Sequence, residues 1–247
     1  MADWPDQVQR WVLDEVDSTS SEARRRIGQG DAWIMAHQQT AARGRRGRVW
    51  HAPAGNFMAS LLMRLDGPAQ QAAQRSFVAA LALYDALVAL TAQPDVFSLK
   101  WPNDVLARGQ KLAGILLETS GNGARVEHLI IGFGVNLAHA PTADDVEPGA
   151  VLPISLRQAT GVDVAPVDFL NQLAASYQNR EQQLVQNGFA SIRADWLAQA
   201  ANLGASITAR MGDRDVKGVF ETLDSDGSLL LRNAAGTQTI AAADIYF

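Results

Sequence analysis

The chain has 247 residues, 47% of them hydrophobic, a formal net charge of -5 and no cysteine. That length supports one sizeable core, or a main body with a small appendage. The missing cysteines exclude a disulfide framework, a thiolate zinc site and a cysteine nucleophile, and the acidic balance gives no overall attraction to nucleic acid or an anionic membrane, so clustered arginines point to local sites.

Residues 1–9 hold Trp4, Pro5 and two aspartates rather than a basic segment followed by an apolar one, so no signal peptide is read. Thr19-Ser20-Ser21-Glu22 has the spacing of a capping box and predicts a helix through Arg26 that stops near Gly28 or Gly30. Residues 33–36 read as a buried strand and 57–63 as another. Between them lies a long arginine- and glycine-rich segment, 40–56, with little to bury, and a loop of that length usually has a task. Phe77, Leu81, Tyr84 and Val88 recur at helical spacing, giving an amphipathic helix over 69–92 ended by Pro94. The apolar run 77–91 is too short and too periodic to span a bilayer, and the cytoplasm is the expected location.

Strands are expected at 96–100, 105–107, 112–118 and 126–137, separated by Trp-Pro-Asn-Asp, Arg-Gly-Gln and Gly-Asn-Gly turns, and such short connections favour antiparallel pairing. Pro166 opens a helix to Gly188 with Phe169, Leu170, Leu173, Tyr177 and Leu184 on one face, and a shorter helix carries Phe189, Ile192 and Trp196. After Gly204 the pattern changes to short strands near Ile207, 216–222, 229–231 and Ile240, joined by Gly-Asp-Arg-Asp and Asp-Ser-Asp-Gly turns. This predicts a small barrel-like domain of about forty residues that docks on the main one.

Arg43-Gly44-Arg45-Arg46-Gly47-Arg48 places four guanidinium groups on six residues, a density suited to phosphate or carboxylate oxygens, although a solvated basic loop or a nucleic-acid patch has the same composition. Ala42, Gly44 and Gly47 echo a dinucleotide fingerprint, but no helix follows directly. In Lys100-Trp101-Pro102-Asn103-Asp104, Asn103 and Asp104 are either turn formers or polar groups at a pocket mouth. Lys111-Leu112-Ala113-Gly114-Ile115 opens a strand where small residues admit a ligand to the backbone. Gly132-Phe133-Gly134-Val135-Asn136 puts two glycines in an apolar strand, for close ligand approach or to admit a bulky neighbour such as Trp101. Ser18 and Thr19 are equally explained as helix caps. His37, His51, His128 and His139 lack metal-ligand spacing.

Taken together and in this order, Asp17-Ser18-Thr19, Gln39 through Trp50, Lys100 to Asp104 with Lys111 to Ile115, and Gly132 to Leu137 resemble the signature of the biotin protein ligase family. The resemblance covers the chain from about Leu13 onward. It implies an α+β fold, with a mixed, largely antiparallel sheet and helices like the class II aminoacyl-tRNA synthetase and biotin/lipoate ligase catalytic fold over 1–200, and an SH3-like β-barrel over 201–247. It implies ATP-dependent activation of biotin to biotinyl-5'-AMP and transfer to a lysine of a biotin carboxyl carrier protein. The residues before Leu13 are too few for the winged helix of bifunctional members, so no DNA binding is expected. A monomer or weak homodimer is expected, with no membrane partner.

By resemblance, Ser18, Thr19, Ser20 and Gln39 would meet the ureido end of biotin, Lys111 its carboxylate and Gly114 its valeryl chain. Arg43, Gly44 and Arg45 would fold over the reacting groups, so that Lys111, Arg43 and Arg45 are the expected catalytic residues. Arg48 and Trp50 would close on the nucleotide, Lys100, Asn103 and Asp104 would face ATP with Mg²⁺ near Asp104, and Asn136 would face adenine. Two positions depart from the pattern: Ala42 stands where glycine is common and Ser20 where asparagine is. Ordering a ten-residue loop costs roughly 1 to 2 kcal/mol per residue, so residues 42–50 are expected to be weakly ordered without ligand. A lipoate or octanoate ligase would share the architecture, but Gln39 and the Ser-Thr pair suit a polar ureido ring better than an acyl chain. A nucleic-acid-binding regulator or a biotin-holding module without turnover are the readings from other classes.

Overall fold

The computed structural model describes residues 3–51, 53–122, 125–142, 146, 150–212 and 214–246. Gly123 and Asp213, each part of an expected turn, lie outside them.

The chain opens with β1 (Gln9–Val16), α1 (Thr19–Arg25) and β2 (Ala32–Gln39), a crossover that leaves β1 and β2 parallel. Then come β3 (Phe57–Pro68), α2 (Ala69–Thr91), β4 (Phe97–Lys100), β5 (Asp104–Ala107), β6 (Gln110–Asn122) and β7 (Arg125–Val135). These strands form a seven-stranded sheet in the order β1-β2-β3-β7-β6-β5-β4, antiparallel at every junction except the first. The β5–β6 hairpin closes over two residues, Arg108 and Gly109, both at positive φ as a two-residue hairpin turn requires.

One face of the sheet is covered by α2, α4 (Pro166–Asn187) and α5 (Phe189–Ala198). Alternation along the strands sends Trp33, Phe57, Leu61 and Phe133 to this side. There Trp33 meets Phe133 and Tyr177, and Phe57 packs edge-on against Phe169 with centroids 4.9 Å apart. Each such side chain contributes about 1.5–3 kcal/mol by leaving water. Although α2 has the length and apolar content of a membrane-spanning helix, it packs against the sheet, α4 and α5, with Val78, Leu81, Leu83 and Leu87 buried. The apolar run 77–91, expected to be too short to span a bilayer, is one part of this packed helix.

Among the described helices α1 lies on the opposite face, over the small cluster Ala23, Ala32, Ile34, Leu62 and Ile130. The rest of that face is open, and register fixes what it displays. One row of paired residues runs Ile34, Ser60, Gly132, Leu116, and the next runs Met58, Gly134, Gly114, Asp104, Lys100. Two rows with three glycines among them make a shallow floor ending in a buried carboxylate and a buried lysine.

A second, all-antiparallel sheet comprises β8 (Ser206–Met211), β9 (Arg214–Leu223), β10 (Leu229–Asn233), β11 (Gly236–Ile240) and β12 (Asp244–Tyr246), ordered β11-β10-β9-β8-β12, consistent with an SH3-like barrel. It docks on the first unit through the β9–β10 turn: Trp101 Nε1 donates to Gly227 O at 3.0 Å, and a Cβ on Gly227 would sit 2.6 Å from the Phe77 ring.

Four elements differ from the sequence expectations, one of them the closing strand β12, which was not expected. β1 was not expected, because its residues are mostly half-buried or exposed and show no clean alternation. The helix cap at α1 is Ser18, whose side chain makes no capping bond, and Glu22 turns to Arg25 and Arg26 instead of closing a capping box. The capping box in this chain is at Ser155 and Gln158, opening the short α3 (Leu156–Thr160), also unanticipated.

Candidate active site

The open face of the main sheet holds a pocket of about 420 Å³. Every residue singled out from the sequence as a binding or catalytic group lines it except Lys100, which lies behind Asp104. Residues 42–45 and 48–51 form one wall, Pro141, Val146, Ala150, Val151 and Pro153 another, and Asp244 of β12 reaches the rim.

At one end, Gln39 Oε1 accepts from Thr19 N at 2.6 Å, which leaves the Gln39 amide nitrogen as a donor among the described residues. The Ser18 hydroxyl has no partner among the described residues, since Asp17 takes its backbone N–H at 2.7 Å. Thr19 and Ser20 are tied from below by Ser60, whose hydroxyl lies 2.8 Å from Thr19 Oγ1 and 3.0 Å from Ser20 Oγ. Ser60 was not anticipated. A Cβ on Gly132 would lie 2.9 Å from Ser20 Oγ, so that glycine admits the hydroxyl set to the floor.

At the other end, Lys111 Nζ lies 2.8 Å from Asp104 Oδ1, and Lys100 Nζ lies 3.5 Å from Oδ2. Burial pushes the Asp104 carboxyl up, but the two ammonium groups outweigh it and hold it below the usual carboxylate range. Burial draws Lys100 below the ordinary lysine value, with the attraction of Asp104 opposing only in part. One carboxylate thus sits between two cations, which fixes both lysines and leaves excess positive charge facing the pocket. No group of three His, Cys, Asp or Glu able to hold a metal occurs among the described residues.

The arginine loop is a folded hairpin. Gly44 N donates to Arg48 O at 2.7 Å, Trp50 N to Ala42 O at 3.2 Å, and Arg43 bridges Val49. Arg45 Nη1 donates to Asn103 Oδ1 at 3.0 Å, while Asn103 Nδ2 donates to Ile115 O at 2.8 Å. Arg46 and Arg48 both reach Asp244, at 2.7 and 3.0 Å. Burial draws the Arg45 guanidinium below its ordinary value against the pull of Asp244 and Asp104, so an arriving anion finds an incompletely compensated cation.

Of the two glycines expected to admit a bulky neighbour, Gly134 does, but the neighbour is Trp50 and not Trp101, while Gly132 faces Ser20 Oγ; Gly114 of the next strand also lies under Trp50. A Cβ on Gly134 would lie 2.5 Å from the Trp50 indole and one on Gly114 would lie 3.2 Å from it, so the ring rests on the floor. Lys111 Nζ is 5.7 Å from its centroid. Asn136, 1% exposed, donates to Ile154 O at 3.3 Å while its Oδ1 has no partner among the described residues. His51, treated from the sequence as incidental, also lines the pocket.

The arrangement has a hydroxyl and amide end, a flat glycine floor and a strongly cationic end, with one unpaired amide oxygen beyond. It suits an elongated molecule with a polar head and a carboxylate tail, brought to a phosphate.

Comparison with known proteins agrees. Residues 14–136 match the biotin/lipoate A/B protein ligase family and residues 203–247 the biotin protein ligase C terminal domain. The chain is 50% identical over 238 residues to the biotin--[acetyl-CoA-carboxylase] ligase of Paracoccus denitrificans, covering 96% of this chain and 99% of that one. It is 32% identical to the bifunctional ligase/repressor of Bacillus subtilis, over 95% of this chain and 71% of the relative. Its fold matches that of the biotin protein ligase from Aquifex aeolicus in complex with biotin and ATP, with a TM-score of 0.82 at 24% identity over 96% of this chain and 97% of that one.

Proposed function

This chain belongs to the biotin protein ligase family, and we propose from that premise how its pocket activates biotin with ATP and passes it to protein. It is an ATP-dependent biotin ligase, not a lipoate or octanoate ligase and not a passive binding module. The observation that carries the reading of the site is the placement, in one pocket, of the Ser18 hydroxyl and the Gln39 amide nitrogen at one end, both without a partner among the described residues, and at the other end of a cationic cluster that Asp104 and Asp244 compensate only in part.

The ureido ring of biotin lies against Ser18, Thr19, Ser20 and Gln39, a set offering donors to the ureido oxygen and acceptors to its N–H groups. The valeryl chain runs over Gly114, beside the Trp50 ring that stays seated on Gly134. The carboxylate then meets Lys111 and the arginine loop. ATP enters as its Mg²⁺ complex, and the phosphates, not Asp104, hold the metal, since Asp104 is already engaged by two ammonium groups. Asn136 offers its free amide oxygen to the adenine amino group, and Trp50 and Arg48 close on the nucleotide.

In the first step a biotin carboxylate oxygen attacks the α-phosphorus, an O–P bond forms, and pyrophosphate leaves with its electron pair. Two anions must approach, so Arg43, Arg45 and Lys111 lower the barrier by neutralising oxygens, with no protein nucleophile. In the second step the acceptor lysine amine attacks the anhydride carbonyl carbon, and AMP leaves. Lys111 stabilises the charge that develops on the carbonyl oxygen. Asn103 and Asp104 serve by holding Arg45 and the two lysines in place.

The acceptor is a biotin carboxyl carrier protein and the place of action the cytoplasm. Residues 1–200 form the catalytic unit and 201–247 the small one, in a monomer or weak homodimer. No nucleic acid is part of the reading, because loop arginines turn to Asn103 and Asp244 in a chain of net charge -5. The test is pyrophosphate release from Mg²⁺ and ATP with biotin, lipoate, octanoate or no acid. Release with biotin alone is expected, and release with either of the other acids would overturn the assignment of the polar end.

A further inference from the structure

The paired ladder between β3 and β7 ends at Phe57 and Val135. Past that point both strands leave the sheet: 53–56 lies between β3 and the arginine loop, whose residues 42–45 and 48–51 line the pocket, and after Val135 come Asn136, Pro141, Val151 and Pro153, which line it on the other side. Among the described residues no backbone ladder joins the two segments there. What joins them is the side chain of Asn56, 2% exposed. Its Nδ2 donates to His139 O at 2.8 Å, and its Oδ1 accepts from Ala138 N and His139 N, both at 3.0 Å.

The carboxamide therefore stands in for a peptide unit and carries the pairing past the end of the sheet. Asparagine suits this because one flat group carries a donor and an acceptor on separate atoms, as a peptide unit does, whereas a serine hydroxyl has both on one atom and an aspartate carboxylate only accepts. Gly55 brings the backbones together: its φ is +89°, and a Cβ there would lie 3.2 Å from Ala138 Cβ. With donor and acceptor both engaged inside the protein, Asn56 has little left for a ligand, and it is not among the residues lining the pocket.

We infer that Asn56 is a positioning residue of the ligation, fixing the spacing between the arginine-loop wall and the wall that bears Asn136 and Pro141. The inference rests on the reading of these walls as the cover over the activated nucleotide. Biotin's polar head is held by α1 and β2, which Asn56 does not touch. Loosening the seam should therefore weaken use of ATP while sparing the binding of biotin by itself.

The experiment compares wild type, Asn56→Ala and Asn56→Asp by calorimetric binding of biotin alone, by KM for ATP and kcat in biotin-dependent pyrophosphate release, and by thermal melting. Wild-type turnover with biotin tests the functional reading separately from the seam. Asn56→Ala should raise KM for ATP at least tenfold with the Kd for biotin changed less than threefold. Asn56→Asp keeps the two accepting bonds and should fall between wild type and Asn56→Ala. A purely structural role would lower the melting temperature and the active fraction and leave both constants of the folded protein in place, and that result overturns the inference. So does a KM for ATP within twofold of wild type in folded Asn56→Ala, or Asn56→Asp no better than Asn56→Ala. Should Asn56→Ala fail to fold, Asn56→Asp decides, with an unchanged KM for ATP overturning the inference.

Discussion

Replacing Gly134 with alanine puts a methyl group where the Trp50 indole now lies. The added Cβ would be 2.5 Å from Cε2, 2.6 Å from Nε1 and 2.8 Å from Cζ2, against an ordinary contact of 3.4–4 Å. The ring must retreat by roughly 1 Å, the gap to normal carbon contact distance. Gly134 sits in β7 between β3 and β6, so the strand cannot yield, and Trp50 is on a loop, so the loop does. Overpacking of this kind costs about 1–3 kcal/mol. Because the loop moves, that cost falls on closure over the ligand and not on folding. At 1.4 kcal/mol per tenfold, the Kd for biotin should rise by roughly 5- to 150-fold with the melting temperature little changed. A double-mutant cycle isolates the route: calorimetric binding of biotin to wild type, Gly134→Ala, Trp50→Ala and the double variant. The alanine should cost little once the indole is gone. An equal penalty with and without Trp50 would refute the reasoning, since it would mean that the methyl group meets the ligand directly.

Ser60→Ala removes the hydroxyl beneath Thr19 and Ser20, and at about 1 kcal/mol per neutral hydrogen bond the Kd for biotin should rise some 5- to 10-fold, with the fold retained in circular dichroism. Asp104→Asn leaves the buried Lys100 without its counter-charge; breaking a buried pair costs about 3–5 kcal/mol, so a large fall in thermal stability is expected along with lost pyrophosphate release, and a melting temperature equal to wild type would contradict the account. Asp17 is held at about 2, chiefly by hydrogen bonds from Arg25 and then by that from Ser18 N, against 3.8 for an ordinary aspartate. A depressed acid contributes stability above its unfolded value and loses it as pH falls through the folded one, so the start of α1 should loosen between about pH 4 and pH 2. Half exposure keeps that contribution small, and an Asp17 carboxyl carbon that titrates near 3.8 by NMR would remove the claim.

The elements that were legible in the sequence are those whose own residues carry a pattern. The long helices α2 and α4 have apolar residues at helical spacing, and the antiparallel hairpin of β5 and β6 is announced by its turn. The edge strand β1 has no such signature, because half-buried residues beside a single parallel neighbour do not alternate cleanly. Gathering of the site groups followed from their order along the chain, and the two floor glycines stood out as glycines. What they admit could not be read locally: Trp50 was expected over the nucleotide, and its seat on Gly134 was not read from the sequence. Ser60, Asn56 and Asp244 act through contacts 40 to 198 residues away. Nothing adjacent to them in sequence distinguishes them from a strand serine, a turn asparagine and a surface aspartate.

The central claim is that one pocket makes a bound biotinyl adenylate and then spends it on a lysine. The most direct measurement is to incubate the protein with labelled biotin, Mg²⁺ and ATP, remove free ligands by rapid gel filtration, and add a biotin carboxyl carrier domain without ATP. The account predicts that label co-elutes with the protein as biotinyl-5'-AMP and passes to the acceptor lysine with release of one AMP per biotin. Label that stays behind, or that requires fresh ATP to reach the acceptor, would contradict it.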